Sequence, residues 1–402
     1  MSDPIVIVSS ARTPMGGFQG ALSSLTAGEL GAAVIKAAIR RGVDGSTINS
    51  DELSQKIDEV IIGNVLPAGQ GQAPARQAAL GGGLALSAHC TTINKMCGSG
   101  MKATMLAHDL LVAGSIETAI AGGMESMSNA PYLLPSARAG QRMGHGKMLD
   151  HMFLDGLEDA YDKGTLMGAF AEQCADKYQF TRQQQDDFAI TSLKRAQNAI
   201  ENGLFAEEVT PVTIVNRSGK HIVDQDEQPF KARIDKISQL KPAFRKDGTV
   251  TAANSSSISD GAAALLLMKE SRAHQLGLTP QATIVGHSTH AQEPDWFTTA
   301  PVTAIEKLLA KLNWKAGDVD LYEINEAFAV VTMAAMTSLS LPHNKVNIHG
   351  GACALGHPIG ASGARILVTL LSALTQNKLK RGVASLCIGG GEATAMAIEI
   401  HE

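Results

Sequence analysis

The sequence predicts an α/β protein made of two similar halves, and three features that occur twice support this prediction. The segments 57–63 and 319–325 both begin with an aliphatic residue and an aspartate. A Ser-Gly pair then opens a helical pattern at 99–100 and again at 362–363. Each pattern leads to an apolar strand that ends in glycines, and the separation between the copies is nearly constant. We therefore predict two homologous α/β units that form two mixed sheets, with helices between and outside them.

The composition excludes several other classes of protein. The chain has 402 residues, of which 44% are apolar and 18% are charged, as expected for a globular protein of two or three domains. Its formal net charge of −5 argues against general binding to nucleic acids or to an anionic membrane surface. Five widely spaced cysteines argue against a disulfide framework and favour reduced thiols. Because neither a targeting segment nor a membrane span is evident, we expect a cytoplasmic protein.

The first helix of each half has a recognisable start. In the first half, Thr26 and Glu29 have the spacing of a capping box, and an apolar stripe follows them. In the second half, Thr299 precedes Pro301, a residue type that favours the first turn of a helix. The strand at 60–62 is apolar throughout, which is typical of a strand covered by helices on both faces.

A region of different character separates the two halves. It carries a capped helix that starts at Thr181 and ends before Gly203, and proline- and glycine-containing loops surround this helix. Insertions of this length usually carry substrate contacts or an oligomer interface, whereas a surface subdomain without such a role is the alternative. We predict an N-terminal half at 1–127 plus 259–279, an inserted loop domain at 128–258, and a C-terminal half at 280–402.

Cys97 is the first candidate for catalysis. It lies in the segment NKMCGSG at 94–100, directly before a helical pattern. The positive end of a helix dipole and its free amides are expected to stabilise a thiolate there, and the glycines leave amides available for an oxyanion. The alternative is an inert buried cysteine that precedes a helix.

His357 occupies the equivalent loop of the second half, LGHPIGASG at 355–363. Pro358 biases the backbone of His357 toward an extended conformation, which fixes the direction of its side chain. In a pseudo-twofold architecture, equivalent loops meet near the axis. The repeat therefore predicts that Cys97 and His357 face each other as a catalytic pair, rather than that His357 is an ordinary core histidine.

Two further residues end repeated strands near the same predicted cleft. Cys387 is followed by three glycines at 389–391, so its thiol can reach a shared cleft and nearby amides can bind a carbonyl oxygen. Asn325 offers an amide that can position a water or an oxyanion. Its alternative role is to cap the helix that begins near Ala327.

A metal site is the competing explanation for these side chains. Cys353, His357 and Cys387 could supply three ligands to zinc. The dense Cys-x2-Cys spacing of structural zinc sites is missing, however, and Cys97 would have no role in such a site. We therefore predict no metal ligands.

These segments resemble the thiolase family, and within it most closely the acetoacetyl-CoA thiolases. The resemblance extends over the whole chain, and the matching segments are 94–100, 122–128, 325–328, 349–363 and 387–391. It implies a thiolase-like fold in which the two halves form a layered α-β-α-β-α core with an inserted loop domain. It also implies a dimer or tetramer that converts two acetyl-CoA molecules reversibly into acetoacetyl-CoA and coenzyme A.

The resemblance also implies roles for the candidate residues. Cys97 would be the nucleophile that takes the acyl group, and His357 would be its base. Cys387 would remove the α-proton of acetyl-CoA, or return it in the reverse direction. Asn325 would hold a water that forms one oxyanion hole with His357, and the amides of Cys97 and Gly389 would form the second.

Substrate contacts follow from the same resemblance. Ser256 is expected to contact the pantetheine and Met167 to line the acyl pocket, with coenzyme A acting as substrate and product and no cofactor bound permanently. Further substrate or coenzyme A contacts are expected at Leu240, Ala252, Ala327 and Phe328. The candidate partners of the coenzyme A phosphates are Arg217, Lys220, Lys231, Arg233, Lys236 and Lys241, with Arg138, Arg142 and Lys147 as a second cluster.

The chain departs from the family pattern at three places. Leu166 stands where many short-chain thiolases have a histidine that contacts substrate, so a longer 3-ketoacyl substrate is the alternative. Serines fill 255–257 in place of the commoner Asn-Ala-Ser-Gly pattern. Phe230 stands nearest to a tyrosine that binds potassium in some relatives, which supports the prediction of no metal.

Two other functions are compatible with the same fold. A decarboxylating ketoacyl synthase would not need a second catalytic cysteine such as Cys387. A non-catalytic acyl-CoA carrier would not need a base for an α-proton. The presence of Cys97, Asn325, His357 and Cys387 together therefore favours a thiolase.

Overall fold

The structure is a computed structural model that describes residues 3–216 and 219–401. Its strands are β1 (Ile5–Arg12), β2 (Gly16–Gly17), β3 (Glu59–Gly63), β4 (His89–Ile93), β5 (Thr118–Ser126), β6 (Tyr132–Leu133), β7 (Leu149–Asp150), β8 (Val212–Asn216), β9 (Gly219–Val223), β10 (Ser259–Lys269), β11 (Ala282–Ala291), β12 (Leu321–Ile324), β13 (Arg381–Ile388) and β14 (Glu392–Ile400). Its α-helices are α1 (Ala27–Gly42), α2 (Ser50–Ser54), α3 (Pro74–Gly81), α4 (Ser99–Ala113), α5 (Met167–Tyr178), α6 (Arg182–Glu201), α7 (Gln228–Lys231), α8 (Ile234–Ile237), α9 (Glu270–Gln275), α10 (Ala300–Leu312), α11 (Ala329–Leu339), α12 (Ala352–Leu355) and α13 (Ser362–Gln376).

The same strand order occurs in each half, which confirms the predicted duplication. In the first half the order is β4-β3-β5-β10-β1, and in the second it is β12-β13-β14-β11. The pairs β1–β10 and β10–β5 are antiparallel while β5–β3 is parallel, and β11–β14, β14–β13 and β13–β12 repeat this pattern. Val346 forms a parallel bridge to Tyr322 of β12, in the position that β4 takes beside β3.

The two half-sheets are joined into one sheet, whereas the sequence predicted two sheets. β1 and β11 pair over two positions, Val6 with Thr283 and Ile7 with Ala282. Within the described ranges, this short contact joins the halves into one ten-stranded sheet, with nine strands in a single path and β2 paired to β10 beside it. Both strands are the edges of their own half-sheets, and pairing satisfies backbone groups that would otherwise be left open at an edge.

The core is layered, and β10 shows why. Its even-numbered residues, such as Leu266, pack with α1 and α3 in an outer cluster. Its odd-numbered residues, such as Leu265, pack with α4 and α13 in a central cluster that also takes Leu386 of β13 from the second half. The opposite face of the second half-sheet packs on α10, for example Val383 on Ile305. Because side chains alternate along a strand, an entirely apolar strand is what two helical layers require.

The two central helices cross at a pair of glycines. A Cβ atom added to Gly100 of α4 would lie 2.7 Å from the backbone nitrogen of Ala364, and one added to Gly363 of α13 would overlap the backbone nitrogen of Met101. Glycine is therefore required at both positions for the helix starts to touch. This crossing brings the loops that precede α4 and α13 together, and these loops carry Cys97 and His357.

The predicted helix starts are also confirmed. Thr26 caps α1 in a capping box with Glu29, and Thr181 caps α6 in the same way with Gln184. Gly203 follows α6 with a φ of 68°, a conformation that favours glycine. No helix within the described ranges combines the length and the apolar composition needed to cross a membrane.

Candidate active site

A strained turn presents Cys97. Met96 has a φ of 46°, in the left-handed region, and this conformation turns the chain sharply just before the cysteine. The hydroxyl of Ser99 accepts a hydrogen bond from the amide of Lys95 (2.8 Å) and donates one to the carbonyl of Met96 (2.7 Å), which holds the turn. Gly98 then caps α4, so Cys97 lies directly before the first turn of the helix, as predicted.

The thiol of Cys97 is not the stabilised thiolate that the helix start was expected to produce. Burial raises its pKa to about 11, although the amides of Gly389 and of Cys97 itself donate toward the sulfur and oppose this shift. The expectation was wrong because the dipole of one helix end contributes less than the loss of hydration around a buried charge. Cys97 therefore rests as a neutral thiol and needs a base.

His357 is the predicted base, and its surroundings fix which of its ring nitrogens can accept a proton. Its Nδ1 lies 2.6 Å from the hydroxyl oxygen of Ser362, and this hydroxyl donates its own proton to the carbonyl of Pro358 (2.9 Å). Nδ1 must therefore carry a proton and donate it to Ser362, which leaves the lone pair on Nε2. Nε2 is buried and has no hydrogen-bond partner among the residues that the structure describes. Burial, together with the positive charge of Arg365, lowers the pKa of His357 to about 3, so the imidazole is neutral.

Replacement of Ser362 by alanine is expected to lower kcat about tenfold to a hundredfold. Without the hydroxyl of Ser362, Nδ1 of His357 loses its hydrogen-bond acceptor, and the imidazole no longer has one fixed tautomer. Steady-state rates combined with the rate of Cys97 alkylation by iodoacetamide would test this, because a purely structural role would leave alkylation at neutral pH unchanged. Thr375→Ala is the matched control, since Thr375 lies on the same helix and its hydroxyl donates to the carbonyl of Leu371. Equal alkylation rates in Ser362→Ala and the unmodified protein would contradict the positioning role.

Asn325 does not cap a helix. Helix α11 begins at Ala329, and Phe328 precedes it without a side-chain cap. Arg365 instead lies against Asn325, with its Nη2 3.4 Å from Oδ1. The amide nitrogen Nδ2 is buried, and within residues 3–216 and 219–401 it has no hydrogen-bond partner. Arg365 thus orients the side-chain amide of Asn325 so that Nδ2 is available to donate a hydrogen bond. In the same way, Nε2 of His357 is available to accept one.

Cys387 lies at the end of β13, fully buried and close to the first thiol. Burial and the charge that Cys97 would carry both raise its pKa well above the usual value for a thiol. The two thiols are therefore near enough to influence each other, and only one is charged at a time. Next to it, Gly389 directs its amide toward the sulfur of Cys97. A Cβ atom added to Gly389 would lie 3.6 Å from Sδ of Met167.

An apolar cluster adjoins the second thiol. Cys387 packs in it with Ala327 and Phe328, and half-buried Met167 and Phe244 lie against them. The rings of Phe244 and Phe328 meet edge to face, with centroids 5.9 Å apart. Met167, which was predicted to line the acyl pocket, therefore packs in the same cluster as Ala327 and Phe328, which were predicted as substrate or coenzyme A contacts. Leu166 precedes α5 beside Met167 and is half-buried.

A groove extends from the His357 loop to the protein surface. Its volume is about 350 Å³, and Leu240 and Ala252 line it together with Ser257 and Cys353. The carbonyl of Ser257 accepts a hydrogen bond from the amide of His357 (3.1 Å), so one end of the groove reaches the loop of the base. Ser256 is held by a bond from its amide to the carbonyl of Ala327 (2.9 Å).

Three of the predicted phosphate contacts line this groove. They are Lys231, Arg233 and Lys236. Lys220 lies on β9 and Lys241 follows α8, and neither lines the groove. Arg217 lies outside the described residues.

Two connections at the site were not expected from the sequence. Glu125 accepts four hydrogen bonds. Its carboxylate joins the turn that follows β3 to the loop that carries His357. The donors are the amides of Val65 (2.9 Å), Leu66 (3.1 Å) and Gly360 (2.9 Å) and the side-chain amide of Asn64 (2.7 Å).

Lys95 and Glu392 form an ion pair that joins the Cys97 turn to the strand after the glycine loop.

Replacement of Glu125 by glutamine is expected to lower the free energy of unfolding by about 2–4 kcal/mol. The amide of glutamine keeps one acceptor oxygen, and its NH₂ group faces N–H donors that lose their partner inside the protein. Urea denaturation at one fixed protein concentration would measure the loss. Glu29→Gln is the control, because glutamine can still complete the exposed capping box of α1. Equal stability of the two variants would contradict the bridging role of Glu125.

The alternative zinc site does not form. In the part of the chain that the structure describes, the ligand atoms of Cys353, His357 and Cys387 do not all lie within 4.8 Å of one another. The thiol of Cys353 instead contacts the carbonyl of Glu326 (3.6 Å).

Comparison with known proteins gives a consistent result over the full length. Residues 5–271 match the family model of the thiolase N-terminal domain, and residues 278–400 match that of the thiolase C-terminal domain. The chain is 50% identical to acetyl-CoA acetyltransferase 2 of Arabidopsis thaliana, over 98% of this chain and 97% of that protein. It is 48% identical to acetyl-CoA acetyltransferase of Cupriavidus necator, over 98% of this chain and 99% of that protein.

Solved structures agree with the sequence comparison. The crystal structure of the Bacillus anthracis acetyl-CoA acetyltransferase superposes with a TM-score of 0.95 at 40% identity, covering 100% of this chain and 99% of that one. An Ascaris suum thiolase in complex with coenzyme A superposes with a TM-score of 0.92 at 41% identity, covering 99% of this chain and 100% of that one. With both domain models matched and the duplicated halves in place, the chain belongs to the thiolase family.

Proposed function

We propose that the protein is an acetyl-CoA C-acetyltransferase, which condenses two acetyl-CoA molecules reversibly to acetoacetyl-CoA and coenzyme A. One observation carries the proposal. Among the described residues, the buried Nε2 of His357 and the buried Nδ2 of Asn325 both lack a hydrogen-bond partner. The same site also holds two thiols. Unpaired polar atoms in a protein interior are costly, so their presence here indicates groups reserved for substrate or water. Relatives that are named acetyl-CoA acetyltransferases support the same activity.

The first half of the reaction transfers the acyl group. The sulfur of Cys97 attacks the carbonyl carbon of acetyl-CoA while its proton moves to Nε2 of His357. The C–S bond to coenzyme A then breaks, and the departing sulfur takes the proton from His357. The negative oxygen that forms in between is stabilised by the amides of Cys97 and Gly389, which already point at the reacting sulfur.

The second half forms the carbon–carbon bond. Once Cys97 is acylated, Nε2 of His357 is free to accept the proton of Cys387. The thiolate of Cys387 removes an α-proton from the second acetyl-CoA, and the carbanion attacks the acetyl group on Cys97. The bond to the Cys97 sulfur breaks, and this sulfur recovers its proton from His357. Nδ2 of Asn325, through a water, and His357 stabilise the enolate oxygen of the second substrate.

The groove carries the substrate in this proposal. The three cations on its wall meet the phosphates of coenzyme A, Leu240 and Ala252 contact the nucleotide end, and Ser256 contacts the pantetheine. The groove-lining cations all belong to the segment 128–258, which supports the assignment of coenzyme A binding to an inserted loop domain between halves at 1–127 plus 259–279 and 280–402. Coenzyme A is then substrate and product, with no group bound permanently.

A broader 3-ketoacyl-CoA thiolase of fatty acid metabolism is the second candidate. It is favoured by Leu166, an apolar residue where short-chain relatives have a histidine, beside the apolar cluster of Met167, Phe244 and Phe328. An aliphatic wall adds favourable burial for each extra methylene of a longer chain, whereas a histidine does not. A non-catalytic carrier is disfavoured, since it has no use for two thiols and a base.

Thiolysis with substrates of two lengths would test the proposal. The purified protein is mixed with coenzyme A and acetoacetyl-CoA, and loss of the enolate absorbance is followed. A parallel reaction uses a six- or eight-carbon 3-ketoacyl-CoA. We expect a higher kcat/KM with the four-carbon substrate. A higher value with the longer chain would establish the second candidate, and no turnover with either would leave only the carrier.

Oligomerisation and location complete the proposal. Large apolar side chains are exposed along the segment 132–161, including Met143 at 99% and Tyr161 at 75% exposure. An apolar surface of this kind is typical of a contact between subunits, so we propose a homodimer or homotetramer that uses this segment. Two catalytic thiols require a reducing compartment, which favours the cytoplasm.

A further inference from the structure

Two histidines and one aspartate from different halves of the protein converge in a second cluster of side chains. His108 and Asp109 lie in the second half of α4, and His287 lies in the middle of β11. Nδ1 of His108 is 3.0 Å from Oδ1 of Asp109, and Nε2 of His287 is 2.8 Å from the same oxygen. All three potential ligand atoms lie within 4.8 Å of one another.

The surroundings hold the two imidazoles in place and leave one side open. The side chains of His108 and His287 are only 16% and 14% exposed, whereas that of Asp109 is 54% exposed. The two rings meet edge to face, with centroids 5.1 Å apart and an interplanar angle of 89°. Such an arrangement offers three ligands from the protein and room for a water as the fourth.

The distances are close to those of a shared metal ion. Zinc binds imidazole nitrogen and carboxylate oxygen at about 2.0–2.2 Å in a tetrahedral arrangement, which places neighbouring ligand atoms about 3.3–3.5 Å apart. Each imidazole nitrogen would therefore need to move by only about half an ångström from Asp109. Imidazole with carboxylate is a ligand set that suits divalent transition metals rather than calcium or magnesium.

We propose that His108, Asp109 and His287 form a binding site for a divalent transition-metal ion of the zinc, cobalt or nickel class. On binding, the ion takes the place of the two hydrogen-bonding protons at Asp109, and each imidazole keeps its one proton on its other ring nitrogen. The ion joins α4 of the first half to β11 of the second, and so adds a link between the halves beside the pairing of β1 with β11. His108 and Asp109 are neighbours in the chain, but His287 lies 178 positions after Asp109, and for this reason no metal motif is visible in the sequence.

One neighbouring charge offers a way to change the affinity in both directions. Lys311 of α10 donates from its ammonium group to the carbonyl of His287 (3.4 Å). Its positive charge repels a cation bound at the histidine. Removal of this charge by Lys311→Met is therefore expected to tighten metal binding, while loss of an imidazole weakens it.

The experiment titrates the reduced full-length protein with Co²⁺ and records the visible and near-ultraviolet spectrum. Nitrogen and oxygen ligands give visible bands alone, whereas a thiolate ligand adds an intense near-ultraviolet band, so binding at the cysteines is recognised. We expect one ion per chain without the thiolate band, and a Kd that rises at least about tenfold in His287→Gln and in His108→Gln. We expect a lower Kd in Lys311→Met. Zn²⁺ is expected to displace Co²⁺ and to raise the midpoint of thermal unfolding by a few degrees in the unmodified protein, but not in His287→Gln or His108→Gln.

His290→Gln is the matched control, because His290 lies on the same strand and contacts Gln292 and Lys307 rather than a carboxylate. Its Kd for Co²⁺ should equal that of the unmodified protein. The proposal is overturned if Co²⁺ does not bind at millimolar concentration. It is also overturned if binding shows only the thiolate band, or if the Kd is the same in the two histidine variants and the control. Since Lys311 is on the surface of α10, an unchanged Kd in a folded Lys311→Met variant would likewise contradict it.

Discussion

Cys97→Ser is expected to reduce the turnover of acetoacetyl-CoA and coenzyme A by at least about ten-thousandfold. A serine hydroxyl is a much weaker acid than a thiol, and burial has already raised the pKa of the Cys97 thiol to about 11. In the proposed mechanism the neutral imidazole of His357 accepts a proton from that thiol during attack, whereas an alcohol in the same half-buried position is too weak an acid to give up its proton. The shorter side chain of serine also withdraws the nucleophile from the amides of Cys97 and Gly389.

Two measurements would check this expectation. Steady-state thiolysis gives the loss in kcat, and intact-protein mass spectrometry after incubation with acetyl-CoA detects the acetyl group on the enzyme. Cys90→Ser is the matched control, since Cys90 lies on β4, is half-buried and contacts Arg76 rather than the site. An acetylated Cys97→Ser protein, or turnover above about one per cent of the original, would exclude Cys97 as the nucleophile.

The sequence was sufficient to predict the features of the fold that depend on local patterns. The capping boxes at Thr26 and Thr181 are satisfied within one helical turn, so the residue types alone identify them. The equivalence of the Cys97 and His357 loops follows from the repeat, and the contact of Gly100 with Ala364 shows how this equivalence brings the loops together. Neither prediction required knowledge of which distant residues contact each other in the folded protein.

The features that were missed depend either on the conformation of a loop or on contacts between distant parts of the chain. Ser362 is only five residues from His357, yet its role as acceptor for Nδ1 requires the loop conformation that Pro358 helps to set. Glu125 accepts from an amide 235 positions away, at Gly360. The spacing of residues does not reveal such partners, although the position of Glu125 inside a segment shared with the family was a usable signal.

The error about the Cys97 thiol has the same origin. The helix start is local and visible in the sequence, and it favours a thiolate. The burial that outweighs it is produced by the packing of both halves around the loop. Cys97 lies there against the central cluster and against a second apolar cluster that contains Val65, Leu66 and Ile359. A prediction of a pKa from local sequence therefore lacks the largest contribution, which is the loss of water around the charge. This neutral resting thiol is also the reason why the fixed tautomer of His357 matters.

Cys387→Ala is expected to lower turnover by about a thousandfold or more, while Cys97 remains able to take an acetyl group from acetyl-CoA. In the proposed mechanism the second thiol acts on the α-proton, and no α-proton moves when acetyl passes from coenzyme A to Cys97. The positions of the two thiols are compatible with this division. Cys387 is fully buried at the end of β13, whereas the amides that stabilise the first oxyanion point at Cys97.

The exchange of acetyl groups separates the two half-reactions. With labelled coenzyme A and unlabelled acetyl-CoA, Cys387→Ala should form labelled acetyl-CoA at a rate near that of the unmodified enzyme, although it makes no acetoacetyl-CoA. Cys97→Ser should lose exchange and condensation together. Because an alanine at position 387 removes one buried sulfur from an apolar cluster, the thermal midpoint of the variant must also be measured. If exchange and condensation fell by the same factor in a folded Cys387→Ala protein, Cys387 would serve the acyl transfer as well, and the assignment of separate steps to the two thiols would be wrong.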